Sequence, residues 1–376
     1  MRRALLILAV CGLLAASCSG GTPASSSPSP AATADIKRSK LDIAYSAFVD
    51  QDVHHVTSKK ALEAALNAVK AEVRAAGGKD DVATPTFQDT DEPQIADFKK
   101  FADAVGQLAA RNPQLSANRI ADAAIVGMIK ASPDCHTYYV DNSGRGVRSL
   151  DKTPTGSGAV IPAQGASLGG PDEAGLTGKI LPGGIAYITF QEFLVTGTYK
   201  ITEKVSAMLE RALAQGAKAW LFDLRGNIGG NGADAMASWF LNGEPTLGVV
   251  LKNGNGGTAS AIKDLRLPTA YQLPIVVIQN DRGGSGPEVF SASLKENKRA
   301  TIVGRTSFGC LGATIPTHMT DNSELAVTVQ EFTGAVTGAK YNNNGIPPDV
   351  PADDRSAVDT ATKLLLDKIA TGSRPP

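Results

Sequence analysis

The sequence predicts an α/β (α+β) protein, in which an N-terminal helical subdomain precedes a layered α/β core with a mixed sheet. Residues 38–131 carry apolar side chains mostly at helical spacing, which predicts helices. From residue 179 onward, short strand-like runs alternate with helical patterns. This alternation is typical of a domain in which helices pack on a mostly parallel or mixed sheet.

Residues 1–17 have the form of a signal peptide, in which a basic start precedes an apolar run too short to span a bilayer. The run Leu14 to Cys18 ends in small residues and a cysteine, as lipoprotein signals do, so Cys18 would be lipidated after cleavage. Ordinary secretion with cleavage near Ala16 is the alternative. We expect an exported protein that is lipid-anchored on the outer side of the plasma membrane, in a bacterial cell envelope.

The remaining composition limits the function classes. Residues 18–36 are mostly small and polar, and this composition predicts that the segment after the lipidated cysteine is a flexible tether. The formal net charge is +0 and no basic block occurs, which argues against a nucleic-acid partner. Of the four cysteines, Cys11 leaves with the signal, Cys18 would carry lipid, and Cys135 and Cys310 remain in the folded part. Their spacing fits no metal site, and we expect no cofactor.

The helical subdomain is assigned to residues 37–140. Its predicted helices run from Ser58, as N-cap, to the stop at Gly77-Gly78, over 93–111 and over 116–131. His54 and His55 precede the first of these helices in a polar stretch and are predicted to be solvated. Residues 141–178 are rich in Gly, Ser, Thr and Pro, which predicts a loop-rich connector with at most a short hairpin.

The α/β core is assigned to residues 179–376. Its predicted strands are 184–190, 218–224, 247–251, 274–279, 300–303 and 325–330. Its predicted helices are 198–215, 231–241, 286–297 and 355–371.

The run DLRGNIGG, Asp223 to Gly230, predicts a strand that enters a glycine-rich turn before a helix. Glycine lets backbone N–H groups face an oxyanion without a Cβ in the way. A phosphate-binding turn or a plain tight turn is the alternative. The glycine patterns of nucleotide-binding loops are not matched, which makes an oxyanion the better candidate.

Ser285 lies between glycines in GGSGPE, Gly283 to Glu288, at the predicted start of a helix. It is either an N-cap or a nucleophile on a turn with free backbone N–H groups beside it. His136 directly follows the third predicted helix, and is either a hydrogen-bonded structural residue or a base. Asn342 lies in the run YNNNGIPPDV, which alone predicts a loop.

Together these segments resemble the tail-specific or C-terminal processing protease family, over about residues 41–350. AAIVGMIKASPDCHT resembles its "GMxxxLDPHT" segment, LPGGIAYITFQEF resembles "GIGYIRIxSF", and DLRGNIGG matches "DLRxNPGG" except for the proline. VIQNDRGGSGPEVFSASLKENKRATIVGRTSFG resembles the nucleophile segment, and NGIPPDV resembles the "GIxPDV" ending. The resemblance implies that Ser285 is the nucleophile, and that the N–H groups of Gly229 and Gly286 form the oxyanion hole.

Three features depart from the usual family pattern. The general-base lysine and a following glutamine are replaced by Cys310 and Thr314, and a thiol cannot accept a proton as a desolvated amine does unless it is ionised. Residues 141–178 are too few for the family's PDZ module. The tricorn-like branch and its retinoid-binding relatives do without that lysine. Similarity to this branch implies that His136 is the base and that Asn342 orients it.

The resemblance also places Cys135 and Cys310 near the cleft. There they either form a disulfide that ties the helical part to the sheet, or remain as two buried free thiols. We expect a serine peptidase that attacks peptide or protein substrates through Ser285. The alternative is a pseudo-protease that binds peptides or apolar ligands in the same cleft. The retained nucleophile and histidine favour the peptidase, whereas the lost lysine and glutamine and the amide at the orienting position favour the pseudo-protease.

Overall fold

The computed structural model describes residues 39–372, which form helices α1–α8, strands β1–β13 and two short 3₁₀ turns. The helices are α1 Lys40–Gln51, α2 Ser58–Ala75, α3 Ile95–Arg111, α4 Ala117–Lys130, α5 Ile201–Ala214, α6 Ala233–Ser238, α7 Gly286–Glu296 and α8 Ala357–Ala370. The strands are β1 Tyr138–Val140, β2 Gly146–Arg148, β3 Ala166–Gly169, β4 Thr177–Leu181, β5 Ile185–Thr189, β6 Ala219–Asp223, β7 Pro245–Leu251, β8 Gly257–Ser260, β9 Ile275–Gln279, β10 Ala300–Gly304, β11 Gly312–His318, β12 Glu324–Gly334 and β13 Val350–Pro351.

The larger sheet has seven strands in the order β13-β10-β9-β6-β5-β4-β3. Strands β5, β6, β9, β10 and β13 are parallel, and β4 and β3 continue the sheet antiparallel, so the predicted mixed sheet is confirmed. Every residue of β5, β6 and β9 is buried. Such continuous apolar strands are expected where helices cover both faces of a sheet.

Alternate residues of these strands point into two separate cores. Phe222 and Val277 belong to a core that includes residues of α5, α6 and α7, whereas Leu221 and Val276 face a second core with α8. The strand period of two explains this division. As a result, the sheet is held between helices, and the carboxyl ends of β6 and β9 lie at one edge, where the glycine turn and Ser285 follow them.

The helical part shares its core with the second sheet, because Leu325 and Val327 of β12 are buried among residues of α1–α4. Helices α2 and α4 pack closely at Gly127, where an added Cβ would lie 2.6 Å from the Ala64 carbonyl oxygen. The predicted N-cap Ser58 is wrong by one residue. Thr57 caps α2, while Ser58 is buried and pairs with the Tyr45 hydroxyl at 2.6 Å.

The second sheet is antiparallel, in the order β2-β1-β12-β7-β8, with β11 also paired to β12. The sequence predicts β7 and β12 but gives no indication that they leave the main sheet. It also misses β11, which contains Pro316 and has no alternation of buried and exposed residues. A proline and an unpatterned surface are both weak signals for a strand.

The connector 141–178 contains β2, which pairs with β1, and later β3 and the start of β4, so it holds more strand than the predicted short hairpin. Between β2 and β3 it runs as a loop. The N–H groups of Thr155 and Gly156 donate to the Asp281 carboxylate at 2.9 and 2.7 Å, and the Ala159 N–H donates to the Arg225 carbonyl at 3.0 Å. The loop therefore lies against the turns that follow β6 and β9.

The predicted signal peptide 1–17, the lipidated Cys18 and the tether 18–36 lie outside the described residues. Within residues 39–372, no helix combines the length and the apolar character that crossing a membrane requires.

Candidate active site

Ser285 follows β9 and stands at the N-terminal end of α7, in an unusual backbone conformation. Its φ is 67°, in the left-handed region that residues with a Cβ rarely adopt. Two acceptors hold this conformation, because the Ser285 N–H lies 3.0 Å from the Cys310 carbonyl and 2.9 Å from Glu288 Oε2. A strained residue that its surroundings fix in this way is a recurring feature of functional sites.

The carboxylate of Glu288 holds the turn in place through hydrogen bonds. It is buried and accepts hydrogen bonds from the N–H groups of Ser285, Gly309 and Cys310 and from the Ser307 hydroxyl. Burial raises the pKa of Glu288, although these donors act in the opposite direction. Sequence reasoning did not assign this role. The spacing Ser285-x-x-Glu288 is that of a capping box and was the available signal.

The glycine turn after β6 packs directly on Ser285. A Cβ added to Gly229, whose φ is 102°, would lie 2.8 Å from the Ser285 Cβ. The Gly229 N–H donates to Asn227 Oδ1 at 3.0 Å and is therefore already paired. Within residues 39–372, the N–H groups of Gly230 and Gly286 have no hydrogen-bond acceptor. The free N–H groups of Gly230 and Gly286 thus flank the serine. Gly286 is a predicted oxyanion donor, whereas Gly230 takes the place of the predicted Gly229.

His136 lies against a disulfide formed by Cys135 and Cys310, with an S–S distance of 2.02 Å and a Cα–Cα distance of 5.6 Å. The Cys310 sulfur is 3.4 Å from Nδ1 and 3.5 Å from Nε2 of the imidazole. Nearly equal distances to both nitrogens place the sulfur over the ring face and not along an N–H direction. The three side chains bring their ligand atoms within 4.8 Å of one another, but a disulfide offers no thiolate to a metal.

Asn342 contacts His136 only through Asp134. Its amide donates to Asp134 Oδ2 at 2.8 Å and accepts from the Leu311 N–H at 3.1 Å. Asp134 Oδ1 in turn accepts from the His136 backbone N–H at 2.7 Å and from the Thr328 hydroxyl at 2.6 Å. Asn342 therefore fixes the loop that carries the histidine and does not bind the ring itself. Sequence reasoning missed Asp134, although it stands two residues before the histidine.

The charge state of His136 suits a proton acceptor. Burial lowers the pKa of His136, Arg148 acts in the same direction, and Asp134 opposes both. The neutral imidazole is favoured at neutral pH because burial penalises the charged form. Among the described residues, no hydrogen bond joins the Ser285 hydroxyl to this ring. The two side chains are instead related through Cys310, whose carbonyl binds the serine and whose sulfur contacts the histidine.

His54 is not solvated as predicted. It is partly buried, with Nδ1 3.3 Å from the Asp52 carboxylate and Nε2 3.7 Å from Asp134 Oδ2. Burial alone would lower the pKa of His54, but the hydrogen bond to Asp52 and the charges of Asp52, Asp134 and Glu331 outweigh it and raise the pKa. The polar sequence around His54 suggests a solvated side chain. Its contact with Asp134 could not be predicted, because the two residues are far apart in the chain.

A strained serine at a helix N-terminus, two free backbone donors and a neutral histidine are the components of a serine hydrolase site. Residues 184–352 match the model of peptidase family S41, so this part of the chain is similar to that family. The predicted resemblance to carboxyl-terminal processing proteases is thereby confirmed.

Individual relatives agree with this assignment. The chain is 29% identical over 172 residues to the carboxy-terminal processing protease CtpA of Bacillus subtilis (strain 168), which covers 45% of this chain and 35% of that protein. It is 30% identical over 151 residues to the carboxyl-terminal-processing protease of Synechocystis sp. (strain ATCC 27184 / PCC 6803 / Kazusa), which covers 39% of this chain and 33% of that protein. The chain thus matches about a third of the length of these curated relatives.

One solved structure extends the likeness of the fold beyond the S41 domain. A candidate peptidase from Parabacteroides merdae ATCC 43184 superposes with a TM-score of 0.51 at 17% sequence identity, covering 71% of this chain and 89% of that chain. At this identity the match supports the fold alone. The predicted α/β fold class is confirmed.

Proposed function

We propose that this chain is a serine peptidase that cleaves peptide or protein substrates by acyl transfer through Ser285. The observation that carries the proposal is the strained Ser285 turn, at which the hydroxyl stands beside the free N–H of Gly286. A merely structural N-cap has no need for a left-handed backbone, because N-cap residues ordinarily adopt extended dihedrals. The match of residues 184–352 to the S41 peptidase family supports a peptide or protein substrate.

In the proposed reaction, Ser285 Oγ attacks the substrate carbonyl while His136 accepts the hydroxyl proton. His136 then donates this proton to the leaving amine, and water releases the acyl group by the reverse sequence. The lowered pKa of His136 supports this role, because the ring is neutral before the attack. Catalytic hydrogen bonds are often long without substrate, so substrate binding or one bridging water would complete the link between ring and hydroxyl.

The developing oxyanion would be bound by two backbone donors, those of Gly286 and Gly230. Both N–H groups are free of intramolecular acceptors in residues 39–372, whereas the predicted donor Gly229 is bonded to Asn227. Donors that are fixed before the reaction are effective, since they need no rearrangement when the charge develops.

The site of action is proposed from the N-terminal sequence. Residues 1–17 would direct export, and lipid on Cys18 would anchor the protein on the outer side of the plasma membrane. The tether 18–36 would hold the peptidase domain away from the lipid surface.

Labelling with a fluorophosphonate probe tests the nucleophile. Full-length protein in detergent is compared with Ser285→Ala and His136→Ala, and with Ser260→Ala as a control at an exposed serine. We expect labelling in the wild type and the control and its loss in both site variants. Persistent labelling of His136→Ala would remove the histidine from the mechanism. No labelling of folded wild-type protein would overturn the peptidase proposal in favour of a peptide-binding pseudo-protease.

A further inference from the structure

The Cys135–Cys310 disulfide joins the loop that carries the proposed base to a segment that supports the proposed nucleophile. Cys135 immediately precedes His136, and the Cys310 carbonyl accepts the Ser285 N–H at 3.0 Å. The two cysteines are separated by 175 positions in the sequence. The disulfide therefore connects the histidine loop covalently to the segment at Cys310, which in turn is hydrogen-bonded to the serine turn.

The sulfurs also contact the imidazole itself. The Cys310 sulfur lies over the ring face, and the Cys135 sulfur is 3.4 Å from Nδ1. Gly312 also lies close to the ring, because an added Cβ there would be 3.4 Å from Nδ1. The position of the ring thus depends on the position of both sulfurs.

We propose that this disulfide positions His136 for the reaction at Ser285, so that the peptidase is active in the oxidised form and loses most of its activity when the disulfide is reduced. The inference rests on the proposed function of the site. It assigns Cys135 and Cys310 as positioning residues, because their sulfurs hold the imidazole and neither transfers a proton nor attacks the substrate.

Reduction requires a dithiol, which supplies two electrons and two protons and becomes a disulfide itself. Cys135 and Cys310 become two thiols, and their sulfurs must separate from bonding distance to about 3.5–4 Å, the range of non-bonded contact. Both side chains are buried at 2% and 7% exposure, so the added space must come from the neighbouring groups. The imidazole contacts both sulfurs and is itself partly exposed, so it has room to move.

The serine turn would survive the same reduction. The Cys310 carbonyl binds the Ser285 N–H, and the Cys310 N–H binds Glu288 at 2.7 Å; neither bond involves the sulfur. The expected effect of reduction is thus specific. The oxyanion donors and the nucleophile stay in place, while the base is displaced.

The test measures the rate of fluorophosphonate labelling of full-length protein as a function of pH, before and after treatment with dithiothreitol and after reoxidation. Mass mapping follows the two thiols, and circular dichroism verifies that the fold persists. Cys135→Ser, Cys310→Ser and the double variant, which keep a γ atom but cannot form the disulfide, replace chemical reduction where reagent access is slow. We expect a loss of at least about tenfold on reduction, because a positioned base contributes roughly 10²–10⁴-fold. The rate should recover on reoxidation, and the histidine-dependent rise with pH should be absent from the residual rate.

A second measurement tests the positioning of His136 independently of any peptidase activity. NMR spectra are recorded on ¹⁵N-histidine-labelled Ser285→Ala protein. In the oxidised form, the His136 ring signals should be sharp and should show through-space contacts to the cysteine protons. In the reduced form, the ring signals should be shifted or broadened. Unchanged ring signals would overturn the positioning role. Equal labelling rates and pH profiles in both redox states would overturn the positioning role of the disulfide but would leave the proposed peptidase intact. A labelling rate that rises on reduction would also contradict the positioning role. Absence of labelling in both states, with redox-sensitive ring signals, would instead reject the proposed peptidase.

Discussion

Asp134 and Asn342 form a buried hydrogen bond of 2.8 Å that connects the histidine loop to the segment after β12. Because the Asn342 amide donates to a carboxylate, an acid at position 342 would face a like charge. We predict that Asn342→Asp lowers the free energy of unfolding by about 1–3 kcal/mol at neutral pH. The carboxyl pair would share a raised pKa in the folded state, so the lost stability should return as the pH is lowered through that pKa. Urea denaturation at several pH values measures this, with the exposed Asn344→Asp as control.

Equal stability of Asn342→Asp and the control at neutral pH would show that the Asp134 contact does not constrain position 342.

Gly229 has no room for a side chain next to the nucleophile. We predict that Gly229→Ala reduces the labelling rate by about 10² or more, because its Cβ would displace Ser285 and the oxyanion donors. Gly254→Ala is the matched control, since Gly254 also has a positive φ, 72°, but open space around it. Both variants should lose about 1 kcal/mol of stability from the strained backbone, and only the first should lose activity. Similar labelling rates would contradict the close approach.

The labelling rate should depend on the ionisation of His136. We expect the rate to rise with pH through a pKa below the usual value for histidine and then to level off, because only the neutral ring accepts a proton. Arg148 contributes to this low pKa, so Arg148→Gln should move the rise to higher pH, by less than about one unit. Arg145→Gln, on the same hairpin, should leave the profile in place. A profile that moves to lower pH in Arg148→Gln would contradict the electrostatic argument.

Glu288 has four donors around a buried carboxylate. Glu288→Gln would place an NH₂ group against backbone N–H groups, so we predict a loss of about 2–3 kcal/mol in the free energy of unfolding and a loss of labelling. Denaturation curves and labelling rates measure both effects. Glu203→Gln, at an exposed position of α5, is the control and should change neither. A Glu288→Gln protein with wild-type stability would show that the carboxylate is not required for the turn.

Cys18 is predicted to carry lipid. Metabolic labelling with radioactive palmitate and cell fractionation should find the wild type labelled and in the membrane fraction, and Cys18→Ser without label. Cys11→Ser, which changes a cysteine within the signal, should behave as the wild type. Release of unlabelled wild-type protein would instead support ordinary secretion.

The sequence predicts β5, β6, β9 and β10 of the main sheet because each is a continuous apolar run bordered by glycines or helices, a pattern that needs no distant partner. It misses the outer strands β3, β4 and β13, which are short or less apolar. Ser285 and the turn at Gly229 are predictable for the same reason as the four apolar strands. The roles of Asp134 and Glu288 are not, because they depend on backbone N–H groups that come from other segments. The pairing state of Gly229 likewise depends on the rotamer of Asn227, which no spacing rule specifies.

Cys310 performs two tasks, one with its backbone and one with its side chain. Its backbone supports the nucleophile turn through one carbonyl and one N–H, and its side chain points to the histidine loop. Any residue that keeps the same main-chain path would preserve the turn. The side chain at this position is therefore free to change its chemistry over evolution, which explains how a cysteine can stand where the resembling proteases carry a lysine without loss of the surrounding architecture.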